Sequence, residues 1–187
     1  MHSVTEVFLL FAATVLLTSC YDGESDESYS FVDAPSELKA LAFSYAEAYR
    51  DSQTEYAWGG QDALDAEPPL MLDCSGLVIM CYKYATAGGQ YNLLLSDMSV
   101  SYMYENASVP TQSPDQGDLI FFTDADDPEC INHIAIFSKF EGDNVWFIDS
   151  TYKAAEEDAE SINGVTERSL SASDTRIKSY AVMRLKQ

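Results

Sequence analysis

The chain has 187 residues, of which 47% are hydrophobic and 22% are charged. This composition is typical of one globular domain of roughly 150 residues, and it excludes collagen-like and globally disordered proteins. The net charge of −21, from 31 acidic residues against 10 Lys and Arg, repels phosphate backbones, so we expect no nucleic-acid partner.

The N-terminus has the pattern of an export and lipidation signal. Residues 7–17 form an apolar run that is too short to span a membrane but has the length of a signal-peptide core. The run ends at Leu17-Thr18-Ser19-Cys20, and this ending resembles a bacterial lipobox, although residues 1–6 contain no Lys or Arg. We predict a signal peptide over residues 1–19, lipidation of Cys20 and a flexible tether over residues 20–35. A buried core strand is the alternative for the apolar run.

Three helices are predicted in the part of the chain that follows. Apolar residues recur at helical spacing from Leu38 to Tyr49, with Ser36 as the cap. After a loop over residues 51–73, a second apolar stripe runs from Cys74 to Ala85 and stops before a pair of glycines. A third helix is predicted over residues 93–104.

The rest of the chain is predicted to form strands. Their ranges are residues 118–123, 133–140, 145–150 and 180–185. The acidic stretch over residues 152–163 is predicted to be a solvated connection. Helices that are followed by an antiparallel sheet indicate an α+β fold, in a single domain over residues 36–187.

One group of residues suggests chemistry. Cys74 begins the second helix, where unpaired N–H groups and the positive end of the helix dipole stabilise a thiolate and can also bind an oxyanion. His133 is the only imidazole that remains once a signal peptide is removed. If the strands on either side of Gly142 form a hairpin, Asp149 can approach His133 and orient its ring. A nucleophile, a base and an orienting residue form the arrangement of a cysteine hydrolase.

By these residues the chain resembles the NlpC family of cell-wall cysteine peptidases. The motifs that carry the resemblance are Tyr56-Ala57-Trp58-Gly59-Gly60, Asp73-Cys74-Ser75-Gly76-Leu77-Val78, Gln116-Gly117-Asp118-Leu119-Ile120-Phe121-Phe122, Asn132-His133-Ile134-Ala135-Ile136-Phe137 and Phe147-Ile148-Asp149-Ser150. The resemblance implies a papain-like α+β fold, with N-terminal helices packed on an antiparallel sheet. It also implies hydrolysis of peptide bonds in peptidoglycan stem peptides, between γ-linked D-glutamate and a diamino acid.

The resemblance also implies a role for each site residue. Cys74 is the nucleophile, His133 is the base, and Asp149 takes a third position that is more often His in this family. The residues that match substrate-holding positions are Tyr56, Asp73 and Ser75. The expected partners are stem peptides and, through the lipid anchor alone, the membrane of a bacterial cell envelope. We expect a monomer without a metal or other cofactor.

Other interpretations of the same residues stay open. The domain as a whole could be a catalytically silent wall-binding or scaffold lipoprotein, which thiol-directed labelling of Cys74 would distinguish from an enzyme. Cys74 could be a small buried hydrophobe, Asp73 a simple helix cap, and Tyr56 and Trp58 core aromatics.

The remaining cysteines and an acidic run also have alternative roles. Cys81 fits the apolar stripe of the second helix, and Cys130 has either a redox role or a packing or loop role. Residues 124–127 could bind calcium, but a solvated turn fits their spacing better. Cys74 and Cys81 would lie about 10 Å apart along one helix, which is too far for a shared zinc ion or a disulfide.

Overall fold

The structure, a computed structural model, describes residues 29–124, 126–155 and 160–187. The predicted signal peptide, the lipidation site Cys20 and most of the predicted tether lie outside these ranges. Within them, no helix has the length and apolar character that crossing a membrane requires.

Three helices form in the described ranges. They are α1 (Ser36–Arg50), α2 (Cys74–Thr86) and α3 (Val100–Asn106). The first two confirm the predicted helices, but the prediction that Ser36 caps α1 is wrong, because Pro35 holds that position and makes no side-chain cap bond. The third helix starts later than predicted, since the Ser99 side chain accepts a hydrogen bond from Tyr102 N at its first turn.

The strands form one large sheet and one small one. They are β1 (Phe31–Asp33), β2 (Thr54–Tyr56), β3 (Leu70–Leu72), β4 (Asn92–Leu93), β5 (Ser108–Thr111), β6 (Leu119–Thr123), β7 (Ile131–Glu141), β8 (Asn144–Lys153), β9 (Ile162–Ser171) and β10 (Ile177–Lys186). The large sheet has eight antiparallel strands in the order β1-β10-β6-β7-β8-β9, with β4 and β5 also paired to β10. The small sheet pairs β2 and β3 in parallel.

The structure adds strands that the sequence pattern did not predict. β1 lies within the predicted tether and pairs with β10, so that end of the tether belongs to the fold. The predicted connection over residues 152–163 is shorter than expected, because β8 continues to Lys153 and β9 begins at Ile162.

The sheet divides the core into two layers. Alternate residues of β6 face opposite sides: Leu119 and Phe121 pack in the larger cluster with α1 and α2, whereas Ile120 and Phe122 pack with Phe147 in a smaller one. The α+β fold class, with helices packed on an antiparallel sheet, is therefore confirmed. This packing sets α2 against β7 and β8 of the sheet.

Candidate active site

The candidate nucleophile is the first residue of α2. Cys74 is buried, with 7% of its surface exposed. Asp73 precedes it as the N-cap, and its Oδ1 accepts hydrogen bonds from Gly76 N at 2.6 Å and from Ser75 Oγ at 2.8 Å. The Asp73 side chain accepts from Gly76 N, and the Asp73 carbonyl oxygen accepts from Leu77 N. Among the described contacts, the N–H groups of Cys74 and Ser75 have no protein acceptor.

A glycine loop is fixed against this first turn. Gly59 N donates to Asp73 Oδ2 at 2.8 Å, and Asp73 N donates to Gly60 O at 3.1 Å. A Cβ on Gly76 would run into the carbonyl oxygen of Gly60, so only glycine allows this approach. Asp73 is therefore a cap, as one interpretation of the sequence proposed, and it also anchors the loop.

The two aromatic residues of the loop have different environments. Trp58 is 90% exposed, which excludes it as a core aromatic. Tyr56 is half-buried, and its burial, with the nearby charges of Cys74 and Asp73, raises its pKa. Asp73 and Ser75 thus flank the candidate nucleophile in the chain, and Tyr56 lies near it.

His133 and Asp149 come together across β7 and β8. The two strands form the predicted hairpin, with Glu141 paired to Asn144 on either side of Gly142 at φ +60°. His133 Nε2 lies 2.5 Å from Asp149 Oδ2, which confirms their predicted proximity. The other ring nitrogen, Nδ1, is not used by Asp149, and Cys74 lies close enough to the ring to raise the pKa of His133.

A residue that the sequence analysis missed completes this network. Arg168, on β9, donates from Nε to Asp149 Oδ1 at 2.9 Å and from Nη2 to Oδ2 at 2.5 Å. Its guanidinium also lies 5.0 Å from the ring centre of Phe147, the residue opposite it on β8. A sequence signal was available, because a buried Asp requires a cation and an Arg among the polar residues 162–171 can supply one.

These contacts fix the charges of the network. Burial favours protonated Asp149, but the hydrogen bonds from Arg168 and His133 outweigh burial and hold the pKa of Asp149 below its usual value. Burial also lowers the pKa of His133, but its contacts with Asp149 and Cys74 outweigh this and raise the pKa to about 9. An imidazolium is therefore favoured at neutral pH, beside the sulfur of Cys74.

The remaining sequence candidates lie elsewhere. Cys81 is fully buried in the core, as its place on the apolar stripe suggests, and Cys130 is exposed in the loop between β6 and β7. In the acidic run over residues 124–127, the Asp124 and Asp127 side chains accept from backbone N–H groups two residues on, which is a turn pattern. Residue 125 of that run is outside the described residues. Cys20 is outside them too.

Comparison with known proteins gives a family match over most of the domain. The model of the NlpC/P60 family matches residues 53–174. A solved structure from Staphylococcus aureus subsp. aureus Mu50, described as similar to a lipoprotein of the NLP/P60 family, is 20% identical, with a TM-score of 0.46 over 84% of this chain and 44% of its own. Ly7917 is 13% identical over 80% of this chain and 61% of its own, with a TM-score of 0.46.

A second structure of Ly7917 contains the hydrolysis product of MDP. It is 12% identical over 80% of this chain and 62% of its own, with a TM-score of 0.46. The chain thus spans between 44% and 62% of the length of these solved structures. A search of curated proteins finds no significant match.

Proposed function

The chain belongs to the NlpC/P60 family, whose members are generally cell-wall peptidases and hydrolases, and on that premise we propose that it is a cysteine peptidase of peptidoglycan stem peptides. The observation that carries the proposal is the placement of His133. Its ring bonds Asp149 through Nε2, and it lies close enough to Cys74, at the N-terminus of a helix, for that side chain to raise its pKa. This is the geometry that cysteine proteases use to pair a thiolate with an imidazolium.

In the first half-reaction, the Cys74 thiolate attacks the carbonyl carbon of the scissile bond. The N–H groups of Cys74 and Ser75 can donate to the oxygen on which negative charge develops. The His133 imidazolium then gives its Nδ1 proton to the departing amine, and a thioester remains on Cys74. Asp149 holds the ring in place through Nε2 throughout.

In the second half-reaction, water replaces the amine. Neutral His133 takes a proton from the water as it attacks the thioester, which releases a carboxylic acid and restores the thiolate–imidazolium pair. The product acid then ionises in solution. Arg168 keeps Asp149 anionic through both halves and does not itself contact the reacting atoms.

The residues proposed to bind the substrate are Tyr56, Asp73 and Ser75. We propose that they hold the free amino end of a stem peptide, with cleavage between γ-D-glutamate and the diamino acid. Three donors already occupy the Asp73 carboxylate, which has about four acceptor positions, so one remains for an ammonium group.

The proposed location is the bacterial cell envelope. A signal peptide over residues 1–19 and a lipid on Cys20 would hold the enzyme beside the wall. The Cys20→Ser variant is then expected in the soluble fraction after cell breakage, whereas its recovery in membranes would contradict lipidation.

The decisive experiment is digestion of purified muropeptides by wild type and by Cys74→Ala, with the products weighed by mass spectrometry. Wild type is expected to cut, and Cys74→Ala is expected to be inactive but folded. Cys130→Ala is the matched control, because it removes an exposed thiol outside the site and should leave activity unchanged. If wild type is inactive and Cys74 shows no pH-dependent labelling, the silent wall-binding alternative is favoured instead.

A further inference from the structure

Two consecutive residues of β8 contact the two halves of the candidate site. Asp149 Oδ2 lies 2.5 Å from Nε2 of His133. Ser150, which is fully buried, donates from Oγ to the carbonyl oxygen of Leu72 at 2.7 Å. Leu72 is the last residue of β3 and lies two residues before Cys74. Because successive side chains of a strand point to opposite sides, one strand reaches both the base and the segment that leads into the nucleophile.

The hydroxyl of Ser150 attaches two strands to each other. Ile148, on the same side of β8, is fully buried in the larger cluster, and a hydroxyl in such surroundings is costly unless it is bonded. The Leu72 carbonyl is its acceptor, and this carbonyl also accepts from Ala57 N at 3.2 Å. An alanine at position 150 would therefore leave no unpaired polar group at this point. What it would remove is the link between β8 and β3.

Within the described chain, side chains attach the small sheet to β8 and β9 at three points. At the start of β2, Thr54 Oγ1 accepts from Val165 N at 2.9 Å. At the end of β2, Asn163 Oδ1 accepts from Tyr56 N at 2.9 Å. The bond from Ser150 holds the end of β3. Of the three, this last bond acts on the strand that leads directly into the candidate nucleophile.

The β8 side of this link is firmly held. The Asp149 carboxylate accepts a fork from Nε and Nη2 of Arg168. β8 also pairs with β9 along its whole length, from Asn144 to Lys153. β8 is thus a fixed support on which both the base and the nucleophile segment are placed.

We infer that Ser150 is a positioning residue, whose hydroxyl holds the strand that leads into Cys74 so that the thiol stays beside His133. The inference rests on the proposed function in taking these two residues as the reacting pair. Ser150 acts through the backbone of Leu72 and Asp73 and not on the substrate.

The test compares Ser150→Ala with Tyr82→Phe in the full chain. Tyr82 is also fully buried and donates its hydroxyl to Gly117 O at 2.8 Å. It lies on α2, about 12 Å further along the helix axis than Cys74. Each variant removes one buried bond from a hydroxyl to a carbonyl, so the two should lower the midpoint of urea unfolding by similar amounts. Only Ser150→Ala is expected to change the site.

Two measurements without substrate report the position of Cys74. In an NMR titration, the midpoint of the His133 ring is expected to fall from about 9 by about 1 pH unit in Ser150→Ala, because the effect of Cys74 weakens while Asp149 remains. The rate at which iodoacetamide alkylates Cys74 at neutral pH is expected to fall several-fold. Exposed Cys130, read in the same sample by peptide mass spectrometry, should be labelled at the wild-type rate.

A wild-type His133 midpoint and a wild-type labelling rate of Cys74 in folded Ser150→Ala would overturn the inference. Equal changes in Tyr82→Phe would overturn it too, because they would show a general loosening of the core.

Kinetics separate this inference from the proposed function. If wild type cuts a stem peptide, Ser150→Ala should lower kcat about tenfold and leave KM almost unchanged. A change in KM alone would contradict a positioning role. If wild type does not cut, the peptidase proposal fails, and the titration and labelling results still decide the role of Ser150.

Discussion

The pH dependence of activity tests the role of Asp149. The variant Asp149→Asn removes the charge of this side chain with the least change in its shape. The amide oxygen can still accept from His133 Nε2, so the ring keeps its orientation, but the negative charge is gone. In wild type the pKa of His133 is about 9 against an ordinary value of 6.5. At 1.36 kcal/mol per pH unit, this difference corresponds to about 3 kcal/mol of favourable interaction with the protonated ring.

The raised pKa of His133 determines how stability and activity change with pH. Since folding raises it, the stabilisation by His133 is complete below about pH 6.5 and is lost as the pH rises through about 9. Asp149 supplies a hydrogen bond and a charge to the ring, and loss of an adjacent opposite charge lowers a pKa by about 1–3 units. The basic limb of the kcat/KM profile is therefore expected to move from near pH 9 to about pH 6–8.

The assay is hydrolysis of a defined stem peptide from pH 5 to pH 10, together with an NMR titration of the His133 ring. Asp149→Asn should keep much of the wild-type rate at its own optimum, whereas Asp149→Ala, which loses the acceptor, should lose about tenfold to a thousandfold. Asp174→Asn is the control, because that carboxylate is in a similar fork on Arg176 without touching His133. A basic limb that stays near pH 9 in Asp149→Asn would refute the reasoning.

Three further outcomes are expected. Arg168→Met leaves a buried carboxylate without its cation and should lower the free energy of unfolding by about 3–5 kcal/mol. The double variant Asp149→Asn/Arg168→Met should recover most of this loss. If urea titrations show that the losses of the two single variants simply add, the pair is not coupled. Gly76→Ala should destabilise the protein by about 1–3 kcal/mol, because the new Cβ would meet Gly60 O. Gly89→Ala is the control: its Cβ would lie 3.4 Å from Thr86 O, and it should be almost neutral in the same urea titration. Stem peptides with a free amino end should be cut about tenfold faster than those still joined to sugar, and equal rates would reduce Asp73 to a cap.

The helices and the centre of the sheet were predictable because their patterns are local. Cys74 at the start of α2 and the β7–β8 hairpin follow from apolar periodicity and from one Gly in a turn. The contact of His133 with Asp149 follows from that hairpin, since both side chains lie on one face of it. In each case the residues concerned are near one another in the sequence.

Arg168 was not predictable in the same way, because its strand has no apolar alternation. β9 consists largely of polar residues at the edge of the sheet, and its pairing with β8 gives it order that its own pattern does not indicate. β1, β4 and β5 are similar, since each is short and is defined by its pairing with β10. The formation of these strands therefore depends on pairing with other strands, which the local sequence pattern does not indicate.

The pairing of β10 also sets the order in which the molecule can assemble. β10 contacts β1, β4, β5 and β6, and it joins Phe31 to Lys186, two residues from opposite ends of the described chain. Contacts between such distant residues form late, since a long loop must close first. During synthesis, β6 has a free edge until residues 177–186 emerge. The chain is therefore expected to remain open to chaperones and proteases until β10 is made.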